Sequence, residues 1–133
     1  MGIDYELILE ADLPLEKIAA LVVSETDGMS QLPGSPRVLT ADLNERLGYS
    51  VSIFPGRDGY YDAEADDGVQ WEWEPEAYID VTFHMTKNDL SDRGTLNMVA
   101  AVARVLDGRP ENAALTLDGN WLLLTRMDGA IRK

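Results

Sequence analysis

The 133-residue chain carries 24 acidic against 11 basic side chains, a formal net charge of −13, and no cysteine. That charge argues against nucleic acid and anionic membranes as partners, since both are negative, and favours a basic protein partner or simply solubility. A structural disulfide, a thiolate nucleophile and a cysteine-held zinc or iron–sulfur site are excluded, and the length fits a single domain over residues 1–133.

Residues 3–10 alternate, with Ile3, Tyr5, Leu7 and Leu9 on one face and Asp4, Glu6 and Glu10 on the other, which predicts a half-buried strand. The opening MGIDYELILE has acids where a secretory signal needs a basic start and an apolar run. No apolar stretch approaches the ~20 residues of a membrane span, so a soluble cytoplasmic protein is expected. Asp12 followed by Pro14 marks a helix start, with Pro14 at the first helical position. Leu15, Ile18, Leu21 and Val22 carry that helix to about Glu25. Residues 26–36 hold Gly28, Pro33, Gly34 and Pro36 and read as a loop. Thr40 is placed to cap a short helix through Leu47, with Gly48 as its stop.

Tyr49 to Phe54 reads as a strand ended by Pro55 and Gly56, and Asp58-Gly59 as a turn into a returning strand over Tyr60–Ala65. Asp66-Asp67-Gly68 makes a second turn, into a strand over 69–74 where Trp71 and Trp73 oppose Glu72 and Glu74 before Pro75 interrupts the ladder. From Ala77 the alternation is long: Ala77, Ile79, Val81, Phe83 and Met85 face one way, Tyr78, Asp80, Thr82 and His84 the other. Thr86 and Asp89 have capping-box spacing. The main helix starts near Thr95, lines Met98, Val102, Val105 and Leu106 along a stripe widened by Val99, and stops at Gly108 and Pro110. Asp118-Gly119 joins Asn112–Leu117 to Asn120–Met127 in a hairpin, and 128–133 add a short edge strand or fray. The order predicts an α+β fold: a two-layer sandwich, a mainly antiparallel sheet with two main helices on one face, ferredoxin-like with extra strands.

Catalytic and cofactor motifs are sparse. His84 is the only histidine, and strand neighbours two apart stand roughly 7 Å away, too far for a proton relay. There is no GxSxG and no phosphate-cradling glycine motif. Asp62, Glu64, Asp66 and Asp67 echo a calcium loop, but Asp67 stands where glycine is required and Trp73 where glutamate is required. No catalytic residue, cofactor or metal ligand is therefore assigned.

Between Arg57 and Lys87 lie nine acids and no base: Asp58, Asp62, Glu64, Asp66, Asp67, Glu72, Glu74, Glu76 and Asp80, or −9 of the −13. Tyr60, Tyr61, Trp71, Trp73 and Tyr78 are threaded among them. A solvating tail is poor in aromatics, so this reads as a structured recognition surface. Glu72 and Glu74 fall on one strand face and, with Asp62, Glu64 and Asp80 on neighbouring strands, make a negative patch. Such a patch speeds encounter with a basic partner more than it adds affinity. Asp62, Glu64, Asp66, Asp67, Glu72 and Glu74 are the candidates for steering, and Tyr61, Trp71 and Trp73 for anchoring. The plainer alternative makes the tryptophans core and the acids their solvated opposite face. A small carboxylate-based enzyme or divalent-metal-dependent regulator is the competing function, and a homo-oligomer that buries the tryptophans against a second copy is a third.

The segment YYDAEADDGVQWEWEPE over Tyr60–Glu76, running into AYIDVTFHM, and the later NMVAAVARVLDGRPENAALTLDGNWLLLTR resemble a family of small actinobacterial and myxobacterial proteins. That family is named for the immunity protein of a Myxococcus swarm-inhibition toxin system. The resemblance is strongest over Gly56–Gly129, and IDYELILEADLPLE is similar to the family's opening. It implies a non-enzymatic bacterial antitoxin of the cytoplasm that neutralises an incoming toxin; the acidic stretch adds the expectation that the partner is a basic toxin domain. It maps no binding residue onto this chain.

Overall fold

The structure, a computed structural model, describes residues 2–23, 30–32, 35–45, 47–65, 67–86 and 94–132. Glu25, most of the expected loop (residues 26–29 and 33–34), Asp66 and Asp89 of the expected capping box lie outside them.

Among the described residues, ten strands and two helices follow in the order β1 (Gly2–Leu9), α1 (Leu15–Val22), β2 (Ser30–Leu32), β3 (Ser35–Leu43), β4 (Tyr49–Arg57), β5 (Tyr61–Glu64), β6 (Gln70–Trp73), β7 (Ala77–Thr86), α2 (Thr95–Gly108), β8 (Ala113–Leu117), β9 (Trp121–Met127) and β10 (Ala130–Arg132). They form one sheet, β2-β3-β4-β7-β1-β8-β9-β5-β6, with β10 also on β9. The pairings are antiparallel except a single parallel contact of β5 with β9, Glu64 opposite Trp121. At the centre, α1 lies in the connection between β1 and β4, which flank β7, and α2 joins β7 to β8, which flank β1. The two helices thus close two split β-α-β units that interleave at the centre of the sheet.

One buried cluster unites Leu7 and Leu9 of β1, Ile79, Val81, Phe83 and Met85 of β7, Val51 and Ile53 of β4, Ile18 and Val22 of α1, and Met98, Ala101, Val102 and Val105 of α2. The period-2 pattern of β7 and the 3.6-residue stripe of α2 supply it. Each of these buried side chains larger than alanine is worth about 1.5–3 kcal/mol. Tyr49 and Phe83 meet edge to face within it, ring centres 5.1 Å apart. Val99, expected to widen the α2 stripe, is instead exposed.

The plain two-layer sandwich gives way on the other face of the sheet. Ile8 and Ala114 are fully buried there, outside the helix-side cluster. The β5–β6 hairpin reaches that face, setting Tyr61 against Tyr78 of β7, ring centres 5.4 Å apart, with its hydroxyl 3.4 Å from Asp80 Oδ2. Gly56, opposite Tyr78 in the ladder, leaves room for that ring: a Cβ there would come within 2.1 Å of it.

Local signals mislead in four places. The helix expected over Thr40–Leu47 is strand β3 and a turn: Leu39 and Leu43 are buried and Ala41 partly so, a period of two imposed by pairing with β4. Asn44 N–H bonds to Asp42 Oδ1 (3.1 Å), and only one helical turn, Leu47 N–H to Leu43 C=O (2.8 Å), remains of the helix. β4 runs through Pro55 and Gly56 rather than stopping there. From Phe54 on it has β7 alone as partner, so the amide hydrogen that Pro55 lacks is not needed on the open side. Asp58-Gly59 does not turn a hairpin: its amides bond to Glu76 and Pro75 carbonyls, and β5 pairs with β6 and β9 instead of returning along β4. Pro14 is the N-cap of α1 rather than its first residue, and Asp12 pairs with Arg57 (2.6 Å) in place of the helix start.

The C-terminal hairpin matches its sequence signal. Asp118 and Gly119 both take positive φ, 53° and 71°, the conformation that a two-residue turn of the favoured hand demands. Asp118 then ties the turn to β1, accepting from Asp4 N–H (2.9 Å) and donating its own to Asp4 C=O (2.7 Å).

Candidate partner-binding surface

Alternation divides the β5–β6 hairpin into two unlike faces. Outward point Asp62, Glu64 and Glu72, all exposed, with Glu74 exposed just beyond β6. Inward point Tyr61, Ala63, Trp71 and Trp73, partly or fully buried. Five of the nine residues expected in the surface thus share its outer side or tip, counting Asp67, and three its inner side; Asp66 lies outside the described residues.

The outer face concentrates charge against the preference of the sheet. Asp62 and Glu72 are direct cross-strand partners, a juxtaposition that brings Cβ atoms to about 5 Å and is unfavourable for like charges. The ion pairs among the described residues are Arg57–Asp12 and Arg109–Glu111, beside a His84–Asp4 contact of 2.5 Å, and none neutralises a hairpin acid. Tyr60, 56% exposed, donates its hydroxyl to Glu72 Oε1 (2.5 Å). That hydrogen bond, then burial and the charges of Glu72, Asp62 and Glu74, push its phenol up to about 12. Tyr60 is an aromatic of the acidic face that the sequence reading did not select, although its parity with Asp62 signals it.

The expected anchors serve the fold as well. Trp73 stacks at a tilt on Tyr61 and Trp71, ring centres 6.3 and 5.9 Å apart. Tyr61 carries that cluster to the sheet, its hydroxyl 3.4 Å from Asp80 Oδ2. Burial, followed by the nearby Asp80 and Tyr78, raises the Tyr61 phenol far above its ordinary value. Asp67 shapes the turn, accepting the Val69 N–H at 3.0 Å.

Asp80 leaves the negative patch altogether. It is 1% exposed beneath the hairpin and accepts from Thr82 Oγ1 (2.7 Å). Burial first, then a hydrogen bond to Glu6 and the charge of Glu6, push it up to about 9, so it is neutral at pH 7. A substrate has no path to this carboxyl while the hairpin covers it. Among the described residues no three acidic or histidine side chains gather as a metal-binding group, and no helix is long and apolar enough to cross a membrane.

A family model described as SitI3-like matches residues 3–133, almost the whole chain. The chain belongs to the SitI3-like family. The match reaches well beyond Gly56–Gly129, where the sequence resemblance is strongest, and takes in β1, α1 and both edges of the sheet. Membership is consistent with an immunity-type protein that works by binding. Neither a curated protein nor a solved structure matches the chain.

Proposed function

We propose that this SitI3-like protein is a non-enzymatic cytoplasmic immunity protein that neutralises a toxin by occlusion. The outer face of β5–β6 docks on a basic region around the toxin's active site and blocks substrate access. The observation that carries this reading is Asp62 held directly opposite Glu72 with no cation among the described residues to offset them. Two opposed acids weaken a hairpin, so their placement is accounted for by what they meet rather than by the fold. Asp62, Glu64, Glu72 and Glu74 steer, Asp67 extends the field to the hairpin tip, and Tyr60 offers an exposed ring. Trp71, Trp73 and Tyr61 hold the hairpin's shape from behind and contribute their uncovered edges.

The test is capture of a basic toxin domain encoded beside this gene, followed by association rates at low salt for wild type and the pair Asp62→Lys with Glu72→Lys. Steering predicts association at least ten-fold slower for the double variant, with a shallower salt dependence. An unchanged rate at low salt overturns it.

A further inference from the structure

β6 ends the sheet. Its ladder runs to β5 alone, and no strand among the described residues lies on its far side. The register says which backbone groups that leaves open. Ala65 N–H donates to Val69 C=O at one end of the hairpin (3.0 Å), and Gly59 N–H to Pro75 C=O at the other (2.9 Å). Both pairs continue the register of Ala63 with Trp71 and Tyr61 with Trp73. An antiparallel ladder alternates bonded with non-bonded pairs. Trp71 and Trp73 therefore turn their amides and carbonyls to β5, and Gln70, Glu72 and Glu74 turn theirs to the free edge. Pro75 belongs to the set that faces β5, so it removes no donor from that edge.

An unpaired edge is a template for another strand, and proteins commonly guard one with lysine or a bulge. β6 has neither. β2 and β10 also have one ladder partner each, but they are three residues long and carry no acid. β6 sets Glu72 opposite Asp62, with Glu74 exposed next on the same face. A second copy of this chain pairing there would lay Glu72 and Glu74 among their own equivalents, like charges at cross-strand distance, which is unfavourable. A strand with cations on that face meets opposite charge instead. Its alternate side chains pass to the inner face beside Trp71 and Trp73, which are only partly buried.

We infer that the free edge of β6 takes up an extended segment of the protein partner as an antiparallel strand, its lysine or arginine side chains opposite Gln70, Glu72 and Glu74 and its intervening apolar side chains beside Trp71 and Trp73. The inference rests on the docking reading above and adds what that reading lacks, a backbone ladder that fixes how the partner's chain lies. Charge selects the segment and speeds its arrival, and the main-chain hydrogen bonds of strand addition hold it.

The probes are three heptapeptides of alternating lysine and valine, titrated into the full chain and followed by amide and indole NMR shifts: the parent, one N-methylated on two inner lysine amides, and one N-methylated on two valine amides. The methylated isomers have the same composition and charge. In an antiparallel addition with lysines on the acidic side, only the lysine amides point at β6. The parent is expected to shift Gln70, Glu72 and the indoles of Trp71 and Trp73. Methylation of the lysine amides is expected to weaken that binding at least ten-fold, and of the valine amides by no more than about two-fold. Gln70→Pro takes one donor from the edge without changing the charge or the ladder to β5. It is expected to weaken the parent several-fold, with the amides of β1 and β7 unmoved. Equal binding of the two isomers, or the reverse order, overturns the added strand, as does an unaffected Gln70→Pro or the absence of any shift at millimolar peptide. A wild-type dimer that Gln70→Pro dissolves overturns it in favour of a second copy. Toxin association of the Asp62→Lys, Glu72→Lys double variant is a separate readout: if it slows while the isomers bind alike, the docking face stands and the added strand falls.

Discussion

A carboxyl sealed against water beside a second carboxyl stays in place by keeping its proton. Asp80 does so, and stability should depend on pH in consequence. Below about pH 4 the folded and unfolded chains both hold this proton. Between there and about pH 9 the unfolded chain releases it while the folded one retains it, so stability falls as pH rises, by up to about 1.4 kcal/mol per unit. Asp42 and Glu111 are shifted the other way, by hydrogen bonds from Asn44 and Arg109. Their contributions are lost only as pH drops through the acid range, and leave pH 5–8 clear. Urea melts at pH 5 and pH 8 should therefore show wild type losing stability across that window, and Asp80→Asn losing much less; equal losses would refute the assignment. Arg126 answers a different need. Only 8% exposed, it donates to the carbonyls of Leu106 (2.6 Å), Arg109 (2.5 Å) and Glu111 (2.8 Å), gathering acceptors that the end of α2 leaves open. Arg126→Met strands those carbonyls and should cost about 2–4 kcal/mol in denaturant melts.

The β5–β6 hairpin is the element with the weakest attachment through the sheet. Its ladder to the rest of the sheet is one residue pair, Glu64 with Trp121, beside the bond from Glu64 N–H to Asn120 C=O (2.8 Å). What fastens it otherwise is the aromatic inner face, with Tyr61 at the centre. Such a unit opens locally below the free energy of global unfolding. Amides of Asp62, Glu64 and Glu72 should exchange with deuterium faster than those of β1 and β7, and Tyr61→Ala should speed the hairpin further while leaving β1 and β7 unchanged. Uniform acceleration would show that the hairpin is integral to the core. This attachment also explains which elements were legible. β7, α2 and the β8–β9 turn follow from local rules: period two, a 3.6-residue stripe, and Asp-Gly at a turn needing positive φ. β3 was not, because Thr40 and Gly48 imitate helix ends while the deciding fact, burial of Leu39 and Leu43, lies in the pairing with β4. In the candidate surface, parity alone placed Asp62, Glu64 and Glu72 together. It was silent on the hairpin's return over the sheet, which takes Asp80 out of the patch and turns Trp71 and Trp73 inward.

At the scale of the molecule, charge acts on stability and on association with opposite consequences. A chain of −13 repels itself when compact, and a third of its acids crowd one hairpin and its flanks. The Arg57–Asp12 and Arg109–Glu111 ion pairs among the described residues offer little relief, and Arg57–Asp12 is solvent-exposed, a class worth about 0–1 kcal/mol. Repulsion therefore outweighs attraction, and salt should stabilise the folded chain. Raising sodium chloride from about 0.02 to about 0.5 M shortens the screening length from roughly 20 Å to a few ångströms, beyond the spacing of neighbouring strands only at the dilute end. The melting temperature should climb over that range while association with a basic partner slows. Asp62→Lys alone, which turns the opposed pair with Glu72 into an attractive one, should do in low salt what salt does to wild type, raising stability by about 0.5 kcal/mol while lowering the rate of association. If the melting temperature falls with salt, the ion pairs outweigh the repulsion, and the acidic face is no longer a cost that only a partner explains.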